Sequence, residues 1–579
     1  MSGVWRPRFR GSASTFSSNA DTPYPSLLSH HSGHSGIAAS YSLPPDPRQW
    51  GADLSMNLVE PDDYLHNPPR GASAKTIDRE IGSICSGRGL ANFGCLIILC
   101  SGILALFVGY PMITHFTKHE LSLHGGFNLG GINGSGQIPF MTGNWGLIDL
   151  ETPKDAYTKP AWNKGTSDLQ LVFSDEFNQD GRTFYPGDDP YWEAVDLHYW
   201  ATNNLEWYDP EAITTANGSL VITLSKKQNH GLNYQGGMMS TWNKFCFTGG
   251  YIESSVQLPG ANNVVGLWPA VWTMGNLGRA GYGASLEGLW PYSYDACDVG
   301  TAPNQTINGE PAAAATEGDP QNGGHLSFLP GQRLSRCTCK GESHPGPVHK
   351  DGTYVGRAAP EIDVFEAQVS EQTQTGSVSQ SAQWAPFNEK YMWKNTSDNM
   401  IFANPAITVQ NTYVGGVTQM TTSSVTQTNP VAYELSGGQF SVYGFEYKPG
   451  FDDGYITWIA DNKIAWTFRA PGMGPDDVVK VSARPVPLEP MYLIVNLGMS
   501  ENFGKVDFEH LTFPTKMSVD YIRVYQPHDA INTGCNPPDF PTEDYINTYL
   551  EAYMNPNLTT WVDDFKQTWP KNSLVDGCT

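Results

Sequence analysis

The stretch APEIDVFEAQ, residues 359–368, combines the residue types of a β-strand with three carboxylic acids. Isoleucine, valine and phenylalanine favour strands, and the acids among them are Glu361, Asp363 and Glu366. Side chains alternate along a strand, so Glu361 and Asp363 share a face and Glu366 would point the other way. One β-bulge near residues 364–365 would return Glu366 to the first face. We therefore predict a bulged strand that presents all three acids on one concave sheet surface.

Carboxyl groups arranged in this way suit the chemistry of a glycosidic bond. A retaining glycosidase needs two carboxyl groups about 5–5.5 Å apart, one as nucleophile and one as acid/base. An acid between them can hydrogen-bond the nucleophile and separate the two pKa values. An isolated E-x-D-x-x-E pattern also fits an exposed acidic edge strand or a calcium site, so the neighbouring sequence has to decide.

Tryptophans upstream of the acids favour a carbohydrate ligand. In GGYIESSVQLPGANNVVGLWPAVWTMGN, residues 249–276, the spacing places Trp268 and Trp272 on one strand face. Aromatic faces are platforms for the apolar faces of sugar rings. We predict that Trp268, Trp272 and also Trp384 bind substrate, and the alternative is that they are core residues.

The region from 165 to 527 predicts an all-β domain. Short β-prone runs alternate with turn residues and helical periodicity is scarce, which favours an antiparallel sandwich or barrel. Residues 279–358 interrupt this pattern with Gly/Pro-rich sequence and predict a long, disulfide-tied insertion. Residues 528–579 predict an extension that packs on the domain through one helical face, formed by Ile546, Tyr549, Leu550 and Tyr553.

A single apolar segment precedes this domain. LANFGCLIILCSGILALFVGYPMI, residues 90–113, carries no charged side chain and is long enough for a hydrocarbon core of about 30 Å. A buried helix of a soluble domain is the alternative. The segment begins too late for a cleaved signal peptide, so we predict a single transmembrane signal anchor.

The flanking sequence predicts the orientation of this anchor. Residues 1–89 are rich in Ser, Gly, Pro and His and predict a disordered cytosolic tail, and residues 114–164 predict a lumenal stalk. Basic residues precede the anchor, whereas Lys118 alone follows it closely, so the N-terminus faces the cytosol. We predict a type II single-pass protein of the endoplasmic reticulum, Golgi or plasma membrane.

Glycosylation sequons and cysteines agree with that orientation. Six cysteines follow the anchor, an even number that predicts three disulfides with fifteen possible pairings. Cys337 and Cys339 resemble half a zinc site, but no second pair with ligand spacing follows, and we predict no metal and no cofactor. The five sequons all lie after the anchor, at Asn133, Asn217, Asn304, Asn395 and Asn557.

Composition excludes one class of partner. The 579-residue chain has a formal net charge of −24, and a nucleic-acid binder needs a basic face. Residues 1–89 contain eight Lys/Arg and eight Asp/Glu, so the whole negative charge lies beyond them. We predict no nucleic-acid partner.

Three separated motifs carry a family resemblance. The G-Y-I-E…L-P-G…G-L-W-P-A-V-W motif, the E-I-D-V-F-E motif and M-S-V-D-Y-I-R-V-Y-Q (517–526) resemble glycoside hydrolase family sixteen, the laminarinase-like β-glucanases. Within that resemblance the chain is most similar to fungal Kre/Skn-type membrane proteins associated with β-1,6-glucan synthesis. GNLGRAGYGAS (275–285) and SYDACDVGT (293–301) also resemble that group.

The resemblance implies a fold, a function and roles for the acids. It implies a concanavalin-like β-jelly roll over 165–527, with Glu361 as nucleophile, Asp363 as its assistant and Glu366 as acid/base. It implies a retaining glucosidase or transglycosylase in wall β-1,6-glucan synthesis. The alternative is a non-catalytic glucan-binding or assembly factor. The implied partners are β-glucan or a glucan-bearing acceptor, and other wall-synthesis proteins are further candidates.

Overall fold

The structure, a computed structural model, describes residues 87–117 and 146–578. Most of the predicted cytosolic tail, Cys85 and the sequon at Asn133 lie outside the described residues. The chain divides into two compact units, residues 1–118 and 119–579, which are described separately below.

The N-terminal unit contains the predicted apolar helix. Helix α1 (Gly87–Leu104) continues through a π-helical turn (Ala105–Gly109) into α2 (Tyr110–Thr117). The segment Ala91–Ile113 is long and apolar enough to cross a membrane, and none of it is buried in the structure. An exposed apolar helix of this length is compatible with a single-pass anchor.

The second unit consists mainly of β-strands joined by long loops. Its helices are short: α3 (Gly283–Leu286), α4 (Ala312–Thr316), α5 (Glu543–Thr548) and α6 (Leu550–Met554). In chain order the strands are β1 (Thr158–Lys159), β2 (Leu169–Asp175), β3 (Glu193–Ala194), β4 (Leu197–His198), β5 (Glu206–Tyr208), β6 (Ile213–Ala216), β7 (Ser219–Leu224), β8 (Tyr234–Ser240), β9 (Gly250–Gln257), β10 (Trp268–Gly275), β11 (Glu361–Val369), β12 (Gly376–Trp384), β13 (Met400–Phe402), β14 (Thr408–Gln410), β15 (Gly415–Gly416), β16 (Gln419–Gln427), β17 (Ser441–Lys448), β18 (Tyr455–Ala460), β19 (Lys463–Arg469), β20 (Met491–Gly498) and β21 (Thr515–Pro527).

The strands form two sheets, which we call the first and the second sheet. The first has the order β1-β2-β21-β9-β17-β18-β19-β13, with β7 paired to β21 and β6 to β7. The second has the order β14-β16-β12-β11-β10-β20-β8-β5-β4, with β15 beside β16 and β3 beside β8. All pairs are antiparallel except β5 with β8. The predicted all-β sandwich is therefore confirmed.

The main hydrophobic core lies between the two sheets. Phe365 of β11 packs on Tyr443 of β17 with ring centroids 4.8 Å apart, and both side chains are buried. The Trp458 indole N–H of β18 donates to the Asp363 carbonyl of β11 at 2.7 Å, which links the sheets by a hydrogen bond. Burial of these large aromatic and branched side chains supplies most of the driving force for the sandwich.

Part of the predicted stalk belongs to the sandwich. Ile148 is buried and forms a parallel bridge with Ser174 of β2. Lys159 of β1 pairs with Glu253 of β9, and the Trp162 amide donates to Glu446 of β17 at 2.6 Å. The stalk prediction is therefore wrong for residues 146–164, because their apolar and basic side chains find partners on the first sheet. Residues 118–145 lie outside the described part.

The predicted insertion lies between β10 and β11 and contains α3 and α4. It joins the C-terminal extension over part of the outer face of the second sheet, where Trp272 belongs to an apolar cluster with Tyr282 and Tyr553. The prediction of three disulfides is confirmed, and the pairs are Cys246–Cys535, Cys297–Cys337 and Cys339–Cys578.

The C-terminal helix differs in detail from its prediction. It is interrupted at Tyr549, whose φ of −116° is not helical, and so the two short helices α5 and α6 replace one. Ile546 and Tyr553 are buried as expected, whereas Leu550 is exposed. Tyr545 is buried in addition.

Candidate active site

The predicted bulge is present in β11. Across the strand pair, Glu366 lies opposite Ala270, whereas Asp363 lies opposite Trp272, so that Val364 is the extra residue. Glu361 lies opposite Met274. The three acids therefore share the outer face of the second sheet, because one added residue shifts the alternation by one position.

The bulge carbonyls are held by side chains from both sheets. Gln380 of β12 donates its amide to the Val364 carbonyl at 3.1 Å and to the Ile459 carbonyl of the first sheet at 3.0 Å. The Trp458 indole donates to the neighbouring Asp363 carbonyl. A bulge leaves ladder groups unpaired, and these donors satisfy them inside the core.

Asp363 is the most strongly hydrogen-bonded of the three acids. Its Oδ2 accepts a hydrogen bond from Ser381 Oγ at 2.6 Å and from Gln383 Nε2 at 2.9 Å. Its side chain also shares a hydrogen bond with Glu361. Two ionised carboxylates have no donor, so the two side chains can hydrogen-bond each other when one of them carries a proton.

Burial raises the pKa of all three acids. The pKa of Asp363 rises to about 6, limited by the hydrogen bonds from Ser381 and Gln383. The pKa of Glu366 rises to about 8, through burial and the charge of Asp363, against the donor Trp268. The pKa of Glu361 rises well above its ordinary value through burial and the charge of Asp363. Clustered carboxyls with raised pKa values are typical of a catalytic site.

Trp268 connects an aromatic surface to Glu366. Its indole N–H donates to Glu366 Oε1 at 2.9 Å, and its ring stacks on Phe503 with centroids 4.2 Å apart and planes within 2°. Both rings are half-buried, so each can offer an aromatic surface at the site. This pair suits the apolar face of a sugar ring.

Trp272 is on the predicted face but is almost completely buried. It is 9% exposed, and its indole N–H donates to Asn496 Oδ1 at 2.8 Å. Asn496 also donates to the Tyr208 hydroxyl at 3.2 Å. The ring belongs to the apolar cluster on the outer face of the second sheet, as in the core alternative.

The substrate-binding prediction for Trp384 is wrong. This side chain is 1% exposed, belongs to the core between the sheets, and donates to Thr422 Oγ1 at 2.9 Å. Its ring packs on Phe468 of the first sheet. The alternation of β12 explains the error, because Ser381 and Gln383 face outward and Trp384 therefore faces inward.

Residues from distant segments complete the site. Trp290, in the insertion, donates its indole N–H to Glu361 Oε2. Tyr199 and Tyr413 lie close enough to the acids that the carboxylate charges raise the pKa of both phenols, in addition to burial. Tyr413 is 50% exposed, so it can form part of the rim of the site.

Some residues of this site were not predicted from the sequence. The serines and Gln383 of β12 recur at every second position, a polar alternation that would have indicated a polar sheet face. Trp290 precedes Glu361 by 71 residues, and Asn496 lies more than 220 residues after Trp272. No local pattern identifies such contacts. Within the described residues, no group of three or more His, Cys, Asp or Glu could hold a metal ion.

The predicted glycosylation sites differ in exposure. Asn217 lies exposed in the turn between β6 and β7, and Asn557 is exposed after α6. Asn304 and Asn395 are half-buried, and Asn395 Nδ2 donates to Gln410 at 3.1 Å. Glycosylation at these positions stays a prediction.

Comparison with known proteins identifies the family. The family model described as Beta-glucan synthesis-associated protein SKN1/KRE6/Sbg1 matches residues 52–578. The chain belongs to this family. The resemblance to the fungal Kre/Skn-type proteins is therefore confirmed.

Curated members of the SKN1/KRE6/Sbg1 family match almost the whole chain. Beta-glucan synthesis-associated protein KRE6 of Saccharomyces cerevisiae is 42% identical over 535 residues, covering 91% of this chain and 70% of that protein. Beta-glucan synthesis-associated protein SKN1 of Candida albicans is 42% identical over 546 residues, covering 91% of this chain and 68% of that protein.

More distant matches to this SKN1/KRE6/Sbg1 family member are glucanases. Endo-1,3-1,4-beta-glycanase EglC of Rhizobium meliloti is 30% identical over 161 residues, 24% of this chain and 32% of that protein. Among solved structures, a non-specific endo-beta-1,3(4)-glucanase from family GH16 aligns with 19% identity and a TM-score of 0.36. That alignment covers 64% of this chain and 98% of the glucanase chain.

Proposed function

We propose that this protein is a retaining glycoside hydrolase or transglycosylase that acts on β-glucan. The observation that carries the proposal is the bulge at Val364, which gathers Glu361, Asp363 and Glu366 on one sheet face. The stacked Trp268–Phe503 pair beside Glu366 supports a sugar substrate. The relatives are beta-glucan synthesis-associated proteins by name, which supports β-glucan as the polymer.

In the first step, Glu361 attacks the anomeric carbon. Its carboxylate forms a bond to that carbon while the bond to the glycosidic oxygen breaks, and Glu366 gives its proton to the leaving oxygen. A pKa of about 8 keeps Glu366 protonated at neutral pH, as a general acid requires. Before the attack, Asp363 takes the proton that it shares with Glu361. Glu361 is then the charged carboxylate that attacks the anomeric carbon.

In the second step, a hydroxyl group displaces Glu361. The ionised Glu366 accepts the proton of that hydroxyl, whose oxygen bonds to the anomeric carbon as the glycosyl–Glu361 ester breaks. Water as acceptor gives hydrolysis, and a glucan hydroxyl gives transfer. We propose transfer onto wall glucan, including β-1,6-linked acceptors, because a role in synthesis requires that a glycosidic bond be formed.

The decisive experiment is to trap the covalent intermediate. The full chain in detergent is incubated with β-glucosyl and β-gluco-oligosaccharyl fluorides that carry fluorine at C2, which slows both steps while fluoride still departs. We expect one glycosyl adduct, mapped to Glu361 by peptide mass spectrometry. The same protein is then given β-1,3 and β-1,6 oligosaccharides, and product size and anomer are measured by NMR.

Three variants make this experiment specific. Glu361→Gln should form no adduct, whereas Glu366→Gln should still react with fluorides, since fluoride departs without a proton. Glu371→Gln is a matched control, because Glu371 is an exposed glutamate on the segment after β11 that pairs with Lys505. An adduct on another residue, or inverted products, would contradict the proposed mechanism.

One observation favours a second candidate function. Trp290 and Asp363 both hydrogen-bond Glu361, whose pKa is raised, and a protonated Glu361 would be a poor nucleophile. A protein in that state would bind glucan and not cleave it. Saturable binding of β-glucan oligosaccharides without adduct or product, unaffected by Glu361→Gln, would favour a glucan-binding or assembly factor.

A further inference from the structure

A cavity of about 290 Å³ lies between the segment after β12 and the segment after β19. The three acids of the candidate active site do not line it. Of its described charged side chains, three are basic and one is acidic. The residues that matter for its chemistry are Asn388, Lys390, Trp393, Lys394, Asp476 and Arg484.

Arg484 is the unusual member of this set. It is 2% exposed, and its Nη1 donates to the Pro386 carbonyl, but its Nε has no hydrogen-bond partner. It forms no ion pair among the described residues. By contrast, the equally buried Arg357 forms a two-pronged pair with Glu489 at 2.8 Å. A buried guanidinium normally has such an acidic partner, because burying an unpaired charge is costly.

The cavity around Arg484 carries further unmatched polar groups. Asn388 is 7% exposed and its side-chain oxygen has no partner. An amide can present its oxygen or its NH2 group, so Asn388 can accept from a ligand hydroxyl or donate to a ligand oxygen. Lys394 is exposed, and its Nζ lies 3.2 Å from the position that a Cβ of Gly474 would occupy. The Lys394 ammonium group therefore lies close to the backbone at Gly474, which lines the same cavity.

We propose that this cavity binds a small oxyanion, namely a phosphate group that is either free or carried by a sugar. Arg484 provides the buried guanidinium, whose planar fork matches two phosphate oxygens. Lys394 adds positive charge at the exposed side. Burial lowers the pKa of Arg484 to about 10, and a bound anion would offset that desolvation.

The test is a titration of the full chain in detergent with inorganic phosphate, followed by isothermal calorimetry and by ³¹P line broadening. We expect saturable binding to the wild type. Because the protein has a net charge of −24, diffuse attraction cannot produce it. Lys394→Met should weaken binding about tenfold, the size of one charge-assisted hydrogen bond. Arg484→Gln should abolish it.

Lys227→Met is the matched control and should bind phosphate as the wild type does. Lys227 is an exposed lysine paired with Glu211, and it does not line the cavity. If the Arg484→Gln protein does not fold, the phosphate affinity of the Lys394→Met protein, which changes an exposed residue, tests the proposal by itself. Wild-type protein without saturable phosphate binding, or Lys394→Met protein that binds as the wild type does, would overturn the proposal.

A second titration distinguishes the two sources of the phosphate group. Glucose 6-phosphate that binds more tightly than inorganic phosphate assigns a sugar phosphate, and equal affinity assigns free phosphate. Glucose that competes as well as either would overturn an oxyanion site. These readouts do not involve Glu361 or Glu366, so the outcome is independent of the proposed catalytic function.

Discussion

The three acids of β11 differ in their hydrogen-bond partners, and these partners affect the pKa of each acid. Asp363 accepts from Ser381 and Gln383, and these donors favour its charged form. Glu366 accepts a hydrogen bond from Trp268. Burial and the charge of Asp363 raise the pKa of Glu366, so it keeps its proton to higher pH. Burial raises the pKa of all three acids, the charge of Asp363 raises the pKa of both glutamates further, and the donors to Asp363 limit the rise of its own pKa.

Catalysis should therefore show a bell-shaped pH dependence. The Glu361–Asp363 pair must lose one of its two protons before attack, and the pKa of about 6 for Asp363 places the rising limb there. Glu366 must stay protonated, so its pKa of about 8 places the falling limb there. We expect kcat/KM to be maximal near pH 7 with an oligosaccharide substrate. A profile that still rises above pH 9 would contradict the role of Glu366.

Gln383→Leu should move the rising limb to higher pH. The substitution removes one donor to Asp363, so the charged form loses stabilisation and the pKa of Asp363 rises further. The measurement is the pH profile of kcat/KM. Ser379→Ala is the control, because Ser379 is a buried serine of β12 that shares its hydrogen bond with Ser423 and not with an acid. If both variants show the same pH profile of kcat/KM, Gln383 does not control the pKa of Asp363.

At the scale of single elements, the bulge of β11 decides whether the acids form a site. Without the extra residue, Val364, Glu366 would point into the core between the sheets, where an unpaired carboxylate is costly. The bulge is stabilised from outside its own strand, by the Gln380 amide and the Trp458 indole. Sequence alternation alone would have placed Glu366 on the wrong face.

Gln380→Met should therefore weaken both the fold and the activity. It leaves the Val364 and Ile459 carbonyls buried without donors, at a cost of about 1–3 kcal/mol in the free energy of unfolding. Activity should fall further than stability explains, since Glu366 depends on the bulge. Chemical unfolding and kcat/KM measure the two effects.

Ser424→Ala is the matched control for that substitution. Ser424 is a fully buried polar residue on the neighbouring strand β16, and its hydroxyl has no hydrogen-bond partner. Its removal should leave stability and kcat/KM within about 0.5 kcal/mol and a factor of two of the wild type. Gln380→Met protein as stable and active as this control would show that the bulge does not need the amide.

At the scale of the whole molecule, disulfides attach the C-terminal extension to the domain. Cys246–Cys535 connects it to the segment between β8 and β9, and Cys339–Cys578 connects it to the insertion. The insertion supplies Trp290 to the candidate active site, so these two links connect the extension to the segment that carries a contact with Glu361.

Cys578→Ser should lower the free energy of unfolding of this domain by about 2–4 kcal/mol, because the unfolded chain regains freedom. Thermal unfolding of the full chain in detergent, followed by tryptophan fluorescence, measures the change. Cys100→Ser is the control, since Cys100 is a free cysteine in the apolar helix. A Cys578→Ser protein that unfolds at the same temperature as the wild type would show that the Cys339–Cys578 disulfide contributes nothing to stability.

The orientation of the anchor can be tested by glycosylation. If the domain is lumenal, treatment with an endoglycosidase should lower the apparent mass of the expressed protein. Asn217→Gln and Asn557→Gln should each reduce the mass difference between untreated and treated protein by one glycan, since both asparagines are exposed. A glycan mapped to residues 1–89 would contradict the type II topology.

The amino-acid sequence alone was enough to predict the strands with strong apolar patterns, the apolar helix and the even set of cysteines that follows it. Runs such as LQLVFSD and MYLIVNLG predict strands from their local sequence, because branched and aromatic residues prefer a pleated, buried surface. The Ser-, Gly- and Thr-rich strands β8, β12 and β16 did not, because their place in the sheet depends on neighbours. The bulge was predictable, since the spacing of three acids admitted one solution that gathers them.

Other features became known from the three-dimensional arrangement of the chain. The assignment of Trp384 to the core, the packing of residues 146–164 on the first sheet and the disulfide pairs depend on which distant segments meet. The same holds for the Trp290 contact with Glu361 and for the unpaired Arg484 in its cavity. Local sequence fixes the alternation of side chains along a strand. The groups that each face contacts depend on segments that lie tens to hundreds of residues apart, and neither segment alone carries a signature of the contact.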